Sequence, residues 1–160
     1  MSKNVAESVR ERLYRRDPVF SFEFFPPKDA KGMETLEKSL AELARRDPAF
    51  VSVTCGAGGS TRDLTRDLVL SVQERYDFGV MAHITATGYS RAELADLVKD
   101  YRKRGVRNFL ALRGDPPRDV PDWRPSADQA ANAREVVEII RRVAPDVCIG
   151  VAGYPEQHPQ

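Results

Sequence analysis

Apolar runs begin near Val19, Phe50, Val80, Val106 and Val147, and a segment with helical periodicity lies between each neighbouring pair. Met33, Leu36, Leu40 and Leu43 mark the stripe of the first intervening helix, and Leu64, Leu68 and Val72 that of the second. Leu94, Leu97, Val98 and Tyr101 mark the third, and Val136, Val137, Ile140 and Val143 the fourth. Stripes of this kind need a sheet to cover. A repeated strand–helix unit leaves two main architectures, an open doubly wound sheet or a closed barrel.

The faces of the strands choose between them. Strands of an open sheet covered on both sides read as continuous apolar runs. Here Ser21 and Glu23, Ser52 and Thr54, and His83 and Thr85 hold the same alternating register in successive strands. A shared polar interior follows, which a barrel provides. The expected fold is α/β: an incomplete (β/α)8 TIM barrel, with about five parallel strands and four to five helices against the roughly 250 residues of a closed one. The segment from Ser2 to Arg16 reads as an extra helix capping the bottom of the barrel.

Local signals set the boundaries. Ser90 with Glu93, and Ser126 with Gln129, have capping-box spacing, and Gly105 follows Arg102, Lys103 and Arg104 as a helix end should. Arg-Arg-Asp-Pro at Arg15 to Pro18 returns at Arg45 to Pro48, each time before a strand.

Chemistry in either architecture belongs at the C-terminal ends of the strands. The first strand, Ser21-Phe22-Glu23-Phe24-Phe25, sets one carboxylate among aromatic residues and stops at Pro26-Pro27. Desolvation by rings would raise its pKa toward the range of a general acid; a solvated glutamate on a half-exposed edge strand is the alternative. Gly56, Gly58 and Gly59 open a ligand path or make a plain strand-to-helix turn, with Ser60 or Thr61 capping the next helix. The pattern is neither a P-loop nor G-x-G-x-x-G. His83 serves as a donor to a cofactor oxygen or as a core residue. Arg113 and Asp115 flank Gly114, where a flat ligand can approach the backbone or an Asp-Pro turn is made. Trp123 stacks on a ligand or pins its Pro-rich loop.

Composition excludes other classes. Lys and Arg number 25 against 24 Asp and Glu, scattered without a basic stripe, so no nucleic-acid partner is expected. No apolar run is long enough for a membrane span, and the N-terminal segment, with Arg10, Arg12, Arg15 and Arg16, lacks a signal-peptide core. Cys55 and Cys148 have no metal-site or disulfide-framework spacing. A cytoplasmic chain with reduced cysteines and no metal is expected.

The runs Phe22 to Lys28, Phe50 to Thr54 with Gly56-Ala57, Ala111 to Pro116, and Tyr154-Pro155-Glu156 with His158-Pro159 resemble, in order, the methylenetetrahydrofolate reductases, in their compact bacterial, flavin-dependent form. The resemblance implies hydride transfer from NADH or NADPH to FAD and on to methylenetetrahydrofolate, giving methyltetrahydrofolate for methionine supply. It implies Glu23 as general acid and Asp115 as the charge beside flavin and pterin, both touching substrate. It places Thr54 at the nicotinamide and flavin face, and Cys55, Ala57, His83, Arg113, Gly114, Asp115, Tyr154 and His158 along the FAD. Ala133, at the start of the fourth intervening helix, is carried over too. Cys55 stands where many members carry an aromatic residue. Residues 1–160 then form a single N-terminal portion of the reductase domain, with a helix over 1–17 and strand–helix repeats over 18–160. The resemblance implies three more strands and the FAD-phosphate ligands beyond Gln160, so weak FAD binding and no reductase activity are expected of the chain alone unless a second copy supplies the missing wall. A half-barrel without independent catalysis, serving as a structural or self-associating fragment, is the alternative. Exposed edges at the first and fifth strands make a homo-oligomer the expectation.

Overall fold

A computed structural model describes residues 3–56, 61–117, 120 and 122–153. Its elements alternate: α1 (Val5–Arg15), β1 (Ser21–Phe24), α2 (Ala30–Ala44), β2 (Phe50–Val53), α3 (Arg62–Arg75), β3 (Gly79–Thr85), α4 (Arg91–Lys103), β4 (Asn108–Leu112), α5 (Ala133–Val143) and β5 (Cys148–Val151). The strands form one parallel sheet in the order β1-β2-β3-β4-β5. Right-handed crossovers between strands taken in sequence order put every connecting helix on the same face. Five consecutive units of a β/α barrel have this arrangement.

The two faces differ as the alternation requires. Val51, Val53, Val80, Ala82, Ile84, Phe109 and Ala111 are buried under the helices, where they meet Leu40, Leu68, Val72, Leu94, Val98, Val136 and Ile140. Burying a Val or Leu side chain stabilises by about 1.5–3 kcal/mol, so this layer dominates the fold. The register Glu23↔Ser52 and Ser52↔Met81 carries the other face across the sheet, with His83 opposite Leu110 further along. No helix among the described residues is long and apolar enough to cross a membrane.

Helix ends follow local chemistry. Ser90 accepts from the Glu93 N–H at 3.2 Å while Glu93 accepts from the Ser90 N–H at 2.7 Å, the reciprocal box expected there. Gly105 takes φ +89° just past α4, as its position predicts. The Arg-Arg-Asp-Pro copies do not end their helices alike: the left-handed residue is Arg16 in the first and Asp47 in the second. Arg12 and Asp47 then form an ion pair at 2.8 Å between α1 and the second copy. The start of α1 closes the N-terminal ends of β3 and β4, where Val5 and Lys3 bond to Asn108.

Three local expectations are corrected. Leu64 is 41% exposed; the buried stripe of α3 runs Thr65, Leu68, Val69 and Val72, because the Thr65 hydroxyl is satisfied by the Thr54 carbonyl at 2.9 Å. Ser126 does not cap a helix. It closes a turn with Gln129, which bridges to Ser90, and Asn132 caps α5 by accepting from the Glu135 N–H at 3.1 Å. Thr61 sits at the N-cap of α3 without capping it, since its hydroxyl accepts from the Gly56 N–H at 2.8 Å; Ser60 lies outside the described residues.

Candidate active site

The C-terminal ends of the strands open into a cleft of about 670 Å³. Glu23 and Phe25 enter it from β1, Thr54 and Cys55 from β2, His83 and Thr85 from β3, and Arg113, Gly114 and Asp115 from the segment after β4. Ala131, Asn132 and Ala133 reach it from the start of α5. The volume is that of a small-molecule or cofactor site. The sequence-predicted residues Glu23, Thr54, Cys55, His83, Arg113, Gly114, Asp115 and Ala133 therefore line one cavity. Ala57, Tyr154 and His158 lie outside the described residues.

Strand pairing assembles the central cluster. Glu23 and Ser52 are register partners in β1 and β2, and the Ser52 hydroxyl donates to Glu23 Oε2 at 3.2 Å. His83 Nε2, from β3, stands 3.3 Å from the same oxygen. That contact is out of line for a hydrogen bond, and Nε2 is buried without a hydrogen-bond partner. Burial holds the His83 imidazole below its ordinary pKa, with the Glu23 carboxylate pulling the other way. The ring is neutral near pH 7 and keeps unspent hydrogen-bonding capacity beside the cleft.

Of its two readings, Glu23 has the half-exposed edge strand and not the aromatic enclosure. Its side chain is 49% exposed, because alternation turns Phe22 and Phe24 to the opposite face and β1 is an edge of the described sheet. Phe25 shares the cleft but is itself 72% exposed.

The two loops flanking the cluster are held by hydroxyls. Thr61 Oγ1 lies 3.2 Å from Thr65 Oγ1, and Thr65 reaches the Thr54 carbonyl, so α3 is tied back to the end of β2. Cys55 sits there half-buried. Burial pushes its thiol up, against the hydroxyls of Thr85, Thr65 and Thr61 and the nearby Arg62, so it stays protonated at neutral pH. On the other side, the Thr87 hydroxyl and N–H both donate to the Arg113 carbonyl at 3.0 Å. Gly114 has φ +79°, and a Cβ there would stand 2.9 Å from Thr85 Cβ. The missing side chain is therefore required by packing against β3, in addition to any approach of a ligand.

Trp123 is half-buried in the loop between β4 and α5 and is not among the described lining residues of the cleft. Sequence reasoning had placed Ser52 only in a polar stripe. Its strand register with Glu23 was the available signal. Thr85, like Ser52, carried only the polar-stripe signal; Thr87 and Asn132 had none, since hydroxyl and amide side chains at turns have too many ordinary uses to stand out.

A parallel β/α sheet with a polar cleft at its C-terminal edge, lined by carboxylates and an imidazole, is the arrangement of part of a β/α barrel. The sequence pattern of the methylenetetrahydrofolate reductases matches residues 8–160, and the chain belongs to that family. It is 38% identical over 142 residues to 5,10-methylenetetrahydrofolate reductase of Pectobacterium carotovorum, covering 88% of this chain and 45% of that protein. The Salmonella typhimurium protein of the same name is 38% identical over 140 residues, again 88% and 45%. The rice protein named probable methylenetetrahydrofolate reductase (NADH) is 37% identical over 156 residues, 97% of this chain and 26% of that one. The chain thus spans less than half the length of these relatives.

Proposed function

We propose that this chain serves the flavin-dependent reduction of 5,10-methylenetetrahydrofolate to 5-methyltetrahydrofolate, with NADH or NADPH as reductant. The observation that carries the reading is the convergence of Glu23, His83 and Asp115, from three separate strand ends, on one cleft in a member of this family. The domain we infer is the N-terminal portion of a reductase barrel, with α1 as its lower cap. A homo-oligomer belongs to the same proposal, supported by β1 and β5 as the two edges of the described sheet.

The residues present fit a flavin ring. His83 Nε2 is a buried polar atom without a hydrogen-bond partner at the cleft, and Thr54, Cys55, Gly114 and Ala133 give it small walls. These residues, with Arg113, would hold the FAD. When bound, FAD supplies a two-electron carrier that takes hydride from the nicotinamide and gives it to the folate.

The side chains perform the rest. Glu23 gives a proton to the bridging nitrogen of the folate, the C–N bond to the one-carbon unit breaks, and the ring opens to an iminium cation that hydride then reduces. Half-exposure suits this residue to regain a proton from solvent after each turnover. Asp115, lining the same cleft, presents negative charge to that cation. Thr85 and Thr87 hold the Arg113–Asp115 segment in place.

The test is anaerobic. The full-length reductase carrying this chain, loaded with FAD, is reduced by NADH or NADPH and mixed with methylenetetrahydrofolate. The reading expects the flavin to be reoxidised with formation of methyltetrahydrofolate; flavin that is reduced but never reoxidised by the folate contradicts it.

A further inference from the structure

The direction in which Glu23 presents its proton is set by Ser52, which has no role in the scheme so far, and by His83, which has entered it only as a neighbour of the flavin. We propose that Ser52 and His83 are positioning residues for Glu23, the Ser52 hydroxyl engaging Oε2 and the His83 ring standing against that same oxygen, which leaves Oε1 as the oxygen that carries the proton into the cleft. The inference rests on Glu23 being the acid of the folate step.

Both contacts fall on one oxygen. The Ser52 hydroxyl donates to Oε2 at 3.2 Å, and His83 Nε2 lies 3.3 Å from that same atom. Neither neighbour is a mobile surface group: Ser52 is 7% and His83 8% exposed. Their positions are fixed by the sheet, since Ser52 is the register partner of Glu23 and His83 follows on the next strand. In a carboxylic acid the carbonyl oxygen is the acceptor and the hydroxyl oxygen the donor. An oxygen already receiving the Ser52 hydroxyl proton is thereby the acceptor. The acidic proton resides on Oε1. Without these contacts a half-exposed carboxyl would rotate and offer its proton in several directions, and a proton donor depends on its alignment.

The His83 imidazole reports this geometry without any substrate. Its titration responds to the Glu23 carboxylate, which favours the imidazolium. The other ionisable side chains of the described cleft lining are Cys55, Arg113 and Asp115. They are unaltered in the variants below. Protein labelled with ¹³C in its histidine rings is titrated by NMR, without FAD or folate, and His83 is assigned by the signal lost in His83→Gln. Glu23→Gln is expected to move the His83 midpoint to lower pH. Ser52→Ala releases the carboxyl toward solvent and moves the midpoint the same way, whereas Ser52→Thr, which keeps the hydroxyl, retains the wild-type value. A wild-type midpoint in Ser52→Ala overturns the proposal, as does Ser52→Thr behaving like Ser52→Ala.

In FAD-loaded enzyme, Ser52→Ala should lower kcat of the folate half-reaction by about tenfold, with KM changed less than about twofold. Ser52→Thr should recover the rate. A loss confined to KM overturns the positioning role. Absence of a folate half-reaction in the wild-type protein would defeat the functional reading instead, and the titration would still decide whether Ser52 and His83 hold Glu23.

Discussion

The backbone N–H of Val5 donates to Asn108 Oδ1 at 2.9 Å, joining the first turn of α1 to the first residue of β4 across 103 positions. The Asn108 amide nitrogen donates in turn to the carbonyls of Lys3, at 2.9 Å, and Val80, at 3.2 Å. One fully buried amide thus ties the N-terminal segment to two strands. Asn108→Leu would leave buried backbone groups unmet, which costs about 2–4 kcal/mol when summed over them. Urea unfolding measures this, and a loss under about 0.5 kcal/mol would show the amide to be dispensable.

Gly114 stands at φ +79°, and a Cβ on it would lie only 2.9 Å from Thr85 Cβ. Gly114→Ala should destabilise by about 1–3 kcal/mol through backbone strain and the clash with Thr85. The displaced loop would also carry Arg113 and Asp115 away from the cleft. Thermal unfolding together with FAD affinity checks both effects, and an unchanged affinity would separate the loop from the site.

Two leucines one turn apart in α3 should behave differently. Leu68→Ala empties a site that is 3% exposed and should cost about 2–5 kcal/mol, whereas Leu64→Ala, at a position 41% exposed, should stay within about 0.5 kcal/mol. Equal losses in denaturant midpoints would mean that the face of α3 is misassigned.

That pair also shows where the sequence was legible. The strand–helix rhythm and the polar face could be read because period-two alternation recurs in Glu23, Ser52 and His83, and a repeated pattern outweighs local ambiguity. The stripe of α3 was misread because Thr65 is polar yet buried, its hydroxyl bonded to a carbonyl that only the fold brings near. Ser126 and Gln129 have the spacing of a capping box, but the same spacing also fits a turn, and Asn132 holds the cap. The bond of Val5 to Asn108 has no local signal at all. Within the site, the residue types noted at the strand ends fall together on one cleft. The half-exposure of Glu23 agrees with the edge-strand reading of its sequence context; the aromatic desolvation is the reading that fails, because Phe22 and Phe24 face the other side.

Stability should depend on pH through His83. Unfolded, the imidazole binds its proton near pH ~6.5; folded, burial holds its pKa lower, with Glu23 partly offsetting that effect. Between the two values the unfolded chain holds more protons, so this contribution is fully present above about pH 6.5 and is lost as pH falls through the window. In His83→Gln it disappears. The stability of wild type minus variant should therefore shrink from pH ~7.5 to pH ~5.5. Denaturant unfolding at several pH values measures it, and a difference that grows on acidification would reverse the assigned direction.

The central claim is that Glu23 is the acid of the folate step and takes no part in accepting hydride from the nicotinamide. Stopped-flow measurement of the two half-reactions in FAD-loaded Glu23→Gln tests it most directly, since glutamine keeps the size and removes the proton. Flavin reduction by NADH or NADPH should persist, while flavin reoxidation by methylenetetrahydrofolate falls by about 10²–10⁴-fold, the usual loss for a positioned acid. Equal losses in both half-reactions, or none in the folate step, would contradict it.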